Sequence, residues 1–108
     1  AGVMTDFATN VARVRREQIR WFLLQALNVA RPVGAFGEML LAIVQATYAD
    51  ATMQEIKREL DYLDERALVK VERDPTDRWH CDLTRHGVDV VEYTVAVEPG
   101  IARPMYGA

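Results

Sequence analysis

Gln54, Lys57 and Arg58 are the side chains of this sequence best suited to reading a nucleic acid, since they lie within five residues of one another. Amide and guanidinium groups can make paired hydrogen bonds to base edges in the major groove of DNA. The hydroxyl of Thr52 could reach the same groove from the start of the helix expected there. These four residues are therefore candidate contacts to double-stranded DNA.

The charge of the same helix weakens this interpretation. Residues 52–66 carry five acidic and three basic side chains, whereas a surface that faces phosphates usually has the opposite sign. Arg73 and Arg78 are two further candidate DNA contacts, but they flank a tip that contains Asp74 and Asp77. Two functions stay open: a DNA-binding protein, and a protein–protein interaction adaptor that does not bind DNA.

Neither a metal site nor an enzyme active site is expected. His80, Cys81 and the nearby Asp82 and His86 look like metal ligands when they are read as a string. Neighbouring side chains of a strand point to opposite faces, however, so His80 and Cys81 should not share one ion. The sequence also lacks a Gly-rich phosphate loop, a nucleophile elbow and an HExxH motif. We therefore expect no catalytic residue, no metal and no cofactor.

Length and composition indicate one domain. The 108 residues, 50% of them hydrophobic, can form a core without disulfides. The longest apolar run, residues 39–44, is far shorter than the roughly 18 residues of a membrane span. A single cysteine suits the reducing cytosol, and the net charge of -3 argues against a non-specific nucleic-acid coat. The sequence thus predicts a cytoplasmic protein with no membrane partner.

Apolar periodicity predicts three helices, a β-hairpin and a fourth helix. The first helix spans residues 10–31 and ends before Pro32. Thr52 and Glu55 have the spacing of a capping box at the start of the third helix. Residues 1–9 are expected to be a flexible N-terminus, 10–97 the folded domain and 98–108 an extended tail. The remaining predicted elements are a helix over 38–48, strands over 68–73 and 79–83, and a helix that follows Thr84.

The first helix has an unusual content of arginine. Such a cluster could bind the carboxylates of a partner, or nucleic acid, or it could form a solvated face that stabilises the helix. The four residues are Arg13, Arg15, Arg16 and Arg20.

Two apolar rows remain after the core stripes are assigned, one on the first helix and one on the last. A chain of this size has little left to cover both rows, and large exposed apolar patches usually mark a partner surface. We therefore expect a homodimer, with the alternative that residues 101–106 fold back over Trp21. The expected interface residues are Trp21, Leu24, Val90, Tyr93 and Val97.

The order helix, helix, helix, hairpin, helix resembles a winged helix-turn-helix domain. Residues 51–69 are similar to the recognition helix and the entry to the wing in MarR- and PadR-like regulators, and residues 83–87 resemble their Leu-Thr-x-x-Gly continuation. That family usually has glycine where this chain has Ala67, which would cost about 1 kcal/mol in the same left-handed conformation. The resemblance implies a mainly α fold with a two-stranded β wing and a DNA-binding regulator of transcription.

Three strings, at residues 60–63, 84–94 and 98–104, resemble small uncharacterised proteins of Mu-like phages and prophages. Such proteins are encoded among lysis and packaging genes. The resemblance implies a phage context, in which the chain would regulate genes or assist packaging, with another phage protein as a further partner.

Overall fold

The computed structural model describes residues 2–105, and their side chains from Thr5 onwards. Within this range the chain forms four helices and one three-stranded sheet. The helices α1 to α4 span Gly2–Ala30, Gly37–Gln45, Met53–Glu65 and Arg85–Val91, and the strands β1 to β3 span Ala35–Phe36, Val69–Arg73 and Trp79–Leu83.

The strands form an antiparallel sheet in the order β1-β3-β2. The predicted hairpin of β2 and β3 is confirmed, and Val71 lies opposite Cys81. The sheet has three strands rather than two, because Ala35 of β1 pairs with Cys81 on the other edge of β3. Gly34 allows this approach: it has a φ of 78°, and a Cβ there would meet the Cys81 carbonyl oxygen at 2.5 Å. A strand of two residues is too short to show alternation in the sequence.

Helix α1 is longer than predicted. It begins at Gly2, whereas the sequence predicted a flexible segment over residues 1–9 and a helix from Asn10. Residues 5–14 are all exposed, and the first fully buried side chain of α1 is Ile19. The prediction began late because the periodicity on which it rested reflects contacts with the core, and those contacts involve the second half of the helix.

The core lies between α1, α2, α3 and the sheet. Helix α3 buries Ile56, Leu60 and Leu63, which are spaced by four and three residues and so share one face. This burial turns Gln54 and Arg58 towards solvent. Fully buried side chains on the other elements include Ile19, Leu23, Leu24 and Leu27 of α1, Leu40 and Val44 of α2, and Val69 of β2.

Two threonines fix the ends of α3 and α4. The Thr52 hydroxyl accepts a hydrogen bond from the Glu55 amide at 3.2 Å, which is one of the two bonds of the predicted capping box. The Glu55 carboxylate binds Arg15 instead of returning the second bond. The Thr84 hydroxyl accepts from the Gly87 amide at 3.0 Å and donates to the Ala67 carbonyl at 2.6 Å. Thr84 therefore caps α4 and also holds the turn that joins α3 to β2.

The tail packs back on α1, and this arrangement corrects the predicted dimer surface. Trp21, Leu24 and Val90 are only 6, 0 and 2% exposed, so they belong to the core of a single chain. The Tyr93 ring packs edge-on against Trp21, with 6.3 Å between the ring centres. Val97 is partly buried against the same core. The tail also packs on α1, whereas residues 106–108 of the expected tail lie outside the described residues. In the tail, Ile101 is buried, and the Ala102 amide donates a hydrogen bond of 3.1 Å to the Glu17 carbonyl of α1.

Candidate nucleic-acid interface

The N-terminal half of α3 presents the predicted contact residues at the surface. Thr52 is exposed at the cap, and Gln54 and Arg58 follow on one exposed face at a spacing of four residues. The Arg58 side chain is 64% exposed, whereas that of Lys57 is only 23% exposed. The structure thus brings all four residues of the predicted α3 set to one end of the helix.

Two of the acids that made α3 look negative turn inwards. The guanidinium of Arg15 binds both carboxylate oxygens of Glu55, from Nε and Nη2, at 2.9 Å each. Hydrogen bonds from this guanidinium to Glu55 raise the pKa of Arg15. Arg20 places its Nε 2.8 Å from the carboxylate of Glu59, which is 1% exposed. The α1 arginines at 15 and 20 therefore neutralise acids of the same chain rather than form a solvated face.

The charge of α3 is consequently divided along its length. Lys57 and Arg58 lie in the first half, where the two acids are neutralised from α1. Asp61, Asp64 and Glu65 lie in the second half, and Glu65 is exposed. The net charge of residues 52–66, summed from the sequence, does not reveal this division, because it cannot show which acids face another helix.

Lys57 joins α3 to the tip of the hairpin. Its Nζ lies 2.8 Å from the carboxylate of Asp77 and 3.0 Å from the Asp77 carbonyl oxygen. The hydrogen bond from Lys57 lowers the pKa of Asp77. The ammonium also lies 5.2 Å from the centre of the Trp79 ring. Lys57 is therefore held beside the hairpin, and its charge is partly balanced there.

The two predicted hairpin contacts also have acidic partners. Arg73 lies 2.5 Å from the carboxylate of Asp61, and Arg78 lies 3.2 Å from that of Glu38. Each guanidinium also lies over an aromatic ring. The Cζ atom of Arg73 is 4.2 Å from the centre of the Trp79 ring, and that of Arg78 is 3.7 Å from the centre of the Phe36 ring. Both side chains remain about half exposed, so they lie at the edge of the interface rather than within the core.

An open groove of about 560 Å³ connects α1 to this surface. Arg16 and Arg20 line it from α1, Gln54 and Arg58 from α3, and Trp79 from β3. Arg16 was in the arginine cluster of the sequence but was not assigned to the interface. The four-residue spacing of Arg16 and Arg20 places both on one side of α1, and only the packing of α1 against α3 shows that this side meets Gln54 and Arg58.

The predicted opposition of His80 and Cys81 is seen in β3. Cys81 is fully buried, and burial raises the pKa of its thiol to about 12. His80 is partly exposed, with its Nε2 3.1 Å from the Val33 carbonyl oxygen. Across residues 5–105 no three His, Cys, Asp or Glu side chains are placed to hold one metal ion. Among the described helices, none combines the length and the hydropathy that a membrane span requires.

Two solved structures are similar to this chain in architecture. No protein-family model and no curated protein matches it. A candidate DNA-binding protein from Ralstonia eutropha JMP134 has a TM-score of 0.58 at 17% identity, over 76% of this chain and 95% of its own. The PcaV transcriptional regulator from Streptomyces coelicolor, solved with its natural ligand, has a TM-score of 0.56 at 22% identity, over 85% of this chain and 67% of its own.

The chain has a winged-helix fold. At these identities the likeness to both structures concerns the fold. The element order agrees with this fold, since α2 and α3 form the helix-turn-helix pair and β2 with β3 forms the wing. In winged helix-turn-helix domains the second helix of the pair is the one that enters the major groove. The exposed residues of α3 therefore lie on the second helix of this pair.

Proposed function

We propose that this winged-helix protein binds double-stranded DNA through the N-terminal half of α3 and regulates transcription. The observation that carries the proposal is the inward pairing of Glu55 with Arg15 and of Glu59 with Arg20. This pairing leaves Gln54 and the two cations of α3 at the exposed end of the recognition helix. The candidate DNA-binding protein and the transcriptional regulator of similar fold support this function.

The contacts would divide into base reading and phosphate binding. Gln54 can hydrogen-bond both edge groups of adenine, and Arg58 both acceptors of guanine, since each side chain offers a planar pair of polar atoms. Arg16, Arg73 and Arg78 lie around this face and would contact phosphates. Lys57 would bind a phosphate or a base when it leaves Asp77.

Charge reversal on α3 tests the proposal. In fluorescence anisotropy with mixed genomic fragments at low salt, Lys57→Glu with Arg58→Glu should weaken binding by about 100-fold or more, because two contacts worth about 1–3 kcal/mol each are lost. The control is Arg31→Glu with Arg85→Glu, which changes the net charge equally at exposed positions outside α3 and the wing. Equal binding by parent and α3 variant would contradict the proposal.

The adaptor remains the second candidate, and a specific observation favours it. Lys57, Arg73 and Arg78 each have an acidic partner within the chain, so the exposed surface around α3 is mixed in sign. A protein partner with its own mixed charges would fit such a surface. Absence of DNA binding by the parent at low salt would favour the adaptor, whereas binding that weakens steeply with salt would favour the regulator.

The setting of the protein is proposed from the sequence alone. The three strings that resemble proteins of Mu-like phages suggest a gene among phage or prophage genes, with packaging as the alternative task. The genes on either side test this, since structural and lysis genes should be found there. We also propose a cytoplasmic location and no enzymatic activity, in keeping with DNA binding.

A further inference from the structure

The first turns of α1 project beyond the start of α3. Arg15 of α1 binds Glu55 in the first turn of α3. About one turn further along both helices, Arg20 binds Glu59, so the two helices run in the same direction where they meet. Residues 5–14 precede these contacts and are all exposed, and at 1.5 Å per residue they extend α1 by about 15 Å past the start of α3. We call this segment the α1 arm.

One face of the α1 arm is polar and continues the side of α1 that meets α3. Arg16, which follows the arm, lines the groove between the two helices. On a regular helix, four arm positions lie within about 60° of the direction of Arg16, and none of them is acidic. We call this surface the polar face of the arm. Its positions are Thr5, Thr9, Ala12 and Arg13.

Helix α1 lies beside the exposed face of α3 rather than behind it. The α3 residues that bind α1 directly follow the exposed Gln54 and Arg58 in the sequence, so they are displaced from these two by about 100° around the helix. The arm therefore projects along one side of the surface that contacts DNA in the proposed function, past the end of α3 at which Gln54 lies.

The dimensions of DNA place a phosphate strand beside the arm. In the proposed function the N-terminal half of α3 enters the major groove, which is about 12 Å wide. The axes of packed helices lie about 8–10 Å apart. With α3 at the centre of the groove, α1 is thus displaced beyond the edge of the groove, where the sugar–phosphate strand runs. The arm would meet phosphates there, and not base edges.

The side chains of the polar face suit this contact. Arg13 is 54% exposed, and its acidic partner is Glu17 on the same helix, at 3.5 Å. The hydroxyl of Thr9 can donate to a phosphate oxygen. The one acid of the arm, Asp6, lies about 80° from the direction of Arg16. Asp50, near the start of α3, is bound to Arg15 at 2.9 Å.

We propose that the polar face of the α1 arm binds the phosphate backbone of the same duplex that α3 contacts, through Arg13 and the Thr9 hydroxyl, in line with Arg16. The inference rests on the proposed function and adds a second contact region to it. These contacts carry no sequence information, because phosphates are alike at every base pair. They also account for an extension of α1 that its own core does not stabilise, since a free helical end of that length is marginal in water.

Two added charges test which face of the arm meets DNA. Thr9→Glu with Ala12→Glu places carboxylates on the polar face, whereas the control Val11→Glu with Val14→Glu places them on exposed positions of the opposite face. In fluorescence anisotropy with mixed genomic fragments at low salt, the polar-face variant should bind about tenfold more weakly than the parent or worse, because its carboxylates would face phosphates. The control should bind nearly as well as the parent. Equal binding by the two variants would overturn the proposal.

The salt dependence of binding tests the contact from Arg13. In Arg13→Gln the slope of log K against log salt should fall by about 0.9, the value for one lost phosphate contact. Arg31→Gln makes the same charge change at an exposed position beyond the other end of α1 and should leave the slope unchanged. An unchanged slope in Arg13→Gln would contradict the contact.

A photo-cross-link tests the position of the arm. Thr9→Cys that carries an azidophenacyl group should cross-link to the duplex. Val29→Cys is the control, since Val29 is 86% exposed but lies near the other end of α1. The native Cys81 is buried and leaves the readout clear. Cross-linking from residue 29 instead of residue 9 would overturn the proposed position.

The results separate this inference from the function on which it rests. If Lys57→Glu with Arg58→Glu abolishes binding while the polar-face variant binds like the parent, the arm contact alone is overturned. If the parent does not bind DNA at all, the proposed function and the arm contact are both overturned. Weaker binding in both the α3 variant and the polar-face variant, with a parent-like control, supports the two together.

Discussion

The guanidinium of Arg20 and the carboxylate of Glu59 form an ion pair in the interior, with Nε 2.8 Å from Oε1. The same guanidinium donates to the Gly100 carbonyl at 2.9 Å and lies 3.4 Å from the centre of the Tyr62 ring. Arg58 also lies near this carboxylate, with its Nε 3.4 Å from Oε2 of Glu59. One side chain of α1 therefore joins α3 to the tail.

Removal of Arg20 should destabilise the protein strongly. Arg20→Ala leaves the Glu59 carboxylate buried without its main partner, which costs about 3–5 kcal/mol of unfolding free energy. Arg13→Ala is the matched control, because Arg13 pairs with Glu17 at 3.5 Å on the surface and should cost less than about 1 kcal/mol. Urea unfolding followed by circular dichroism measures both. Similar costs for the two variants would contradict the assigned role of the buried pair.

Glycine at position 67 should stabilise the protein. Ala67 has a φ of 59°, in the left-handed region, where Ala67→Gly relieves about 1 kcal/mol of strain. Ala46 is the control: it has a φ of -62°, so Ala46→Gly should lower stability through greater freedom of the unfolded chain. The midpoint temperature of thermal unfolding should rise for Ala67→Gly and fall for Ala46→Gly. A downward shift for both would show that Ala67 is not strained.

The Cys81 thiol should be unreactive in the folded protein and should link stability to alkaline pH. Burial raises its pKa from 9.0 to about 12, so the thiol ionises more readily in the unfolded chain. The contribution is present in full below pH 9.0 and is lost as the pH rises towards 12. Ellman's reagent should react at mildly alkaline pH only after denaturant is added. Cys81→Ala should reduce the pH dependence of unfolding in the same range, and an unchanged dependence would contradict this assignment.

Removal of the Asp77 charge should strengthen the proposed DNA binding. In Asp77→Asn, Lys57 loses the carboxylate at 2.8 Å, and its ammonium becomes available to a phosphate. Binding should become tighter, and the slope of log K against log salt should steepen by about 0.9, the value for one added phosphate contact. Glu92→Gln makes the same charge change at an exposed position at the end of α4. Equal effects of the two variants would show that Lys57 does not take part.

The fold was largely predictable because its longer elements carry strong local signals. Strand β3 was predicted with its observed bounds, and the Thr52 cap was predicted from its spacing with Glu55. Strand β1 was missed, since its two residues pair with β3 only through tertiary structure. Three of the five predicted dimer residues, Trp21, Leu24 and Val90, are buried within the chain, because periodicity shows that a side chain is apolar but does not show which segment covers it.

The sequence indicated that the candidate contact residues of α3 lie together, but it did not indicate the ion pairs that surround them. Gln54, Lys57 and Arg58 do lie together at the start of α3. The sequence could not show that Arg15 neutralises Glu55 across 40 residues, or that Lys57 is held by Asp77. Nor did it assign Arg16 to the groove beside α3, because that position depends on the packing of two helices.

The return of the tail to α1 sets an order of events during synthesis. The Gly100 carbonyl binds Arg20, and Ile101 is buried in a core whose first members lie about 80 residues earlier. A chain made from its N-terminus therefore has α1, α2 and α3 outside the ribosome well before Tyr93, which packs on Trp21, and the buried Ile101 emerge. Until then the aromatic face stays open to other chains, so a nascent chain arrested before residue 101 should bind a hydrophobic dye or a chaperone that the completed chain no longer binds.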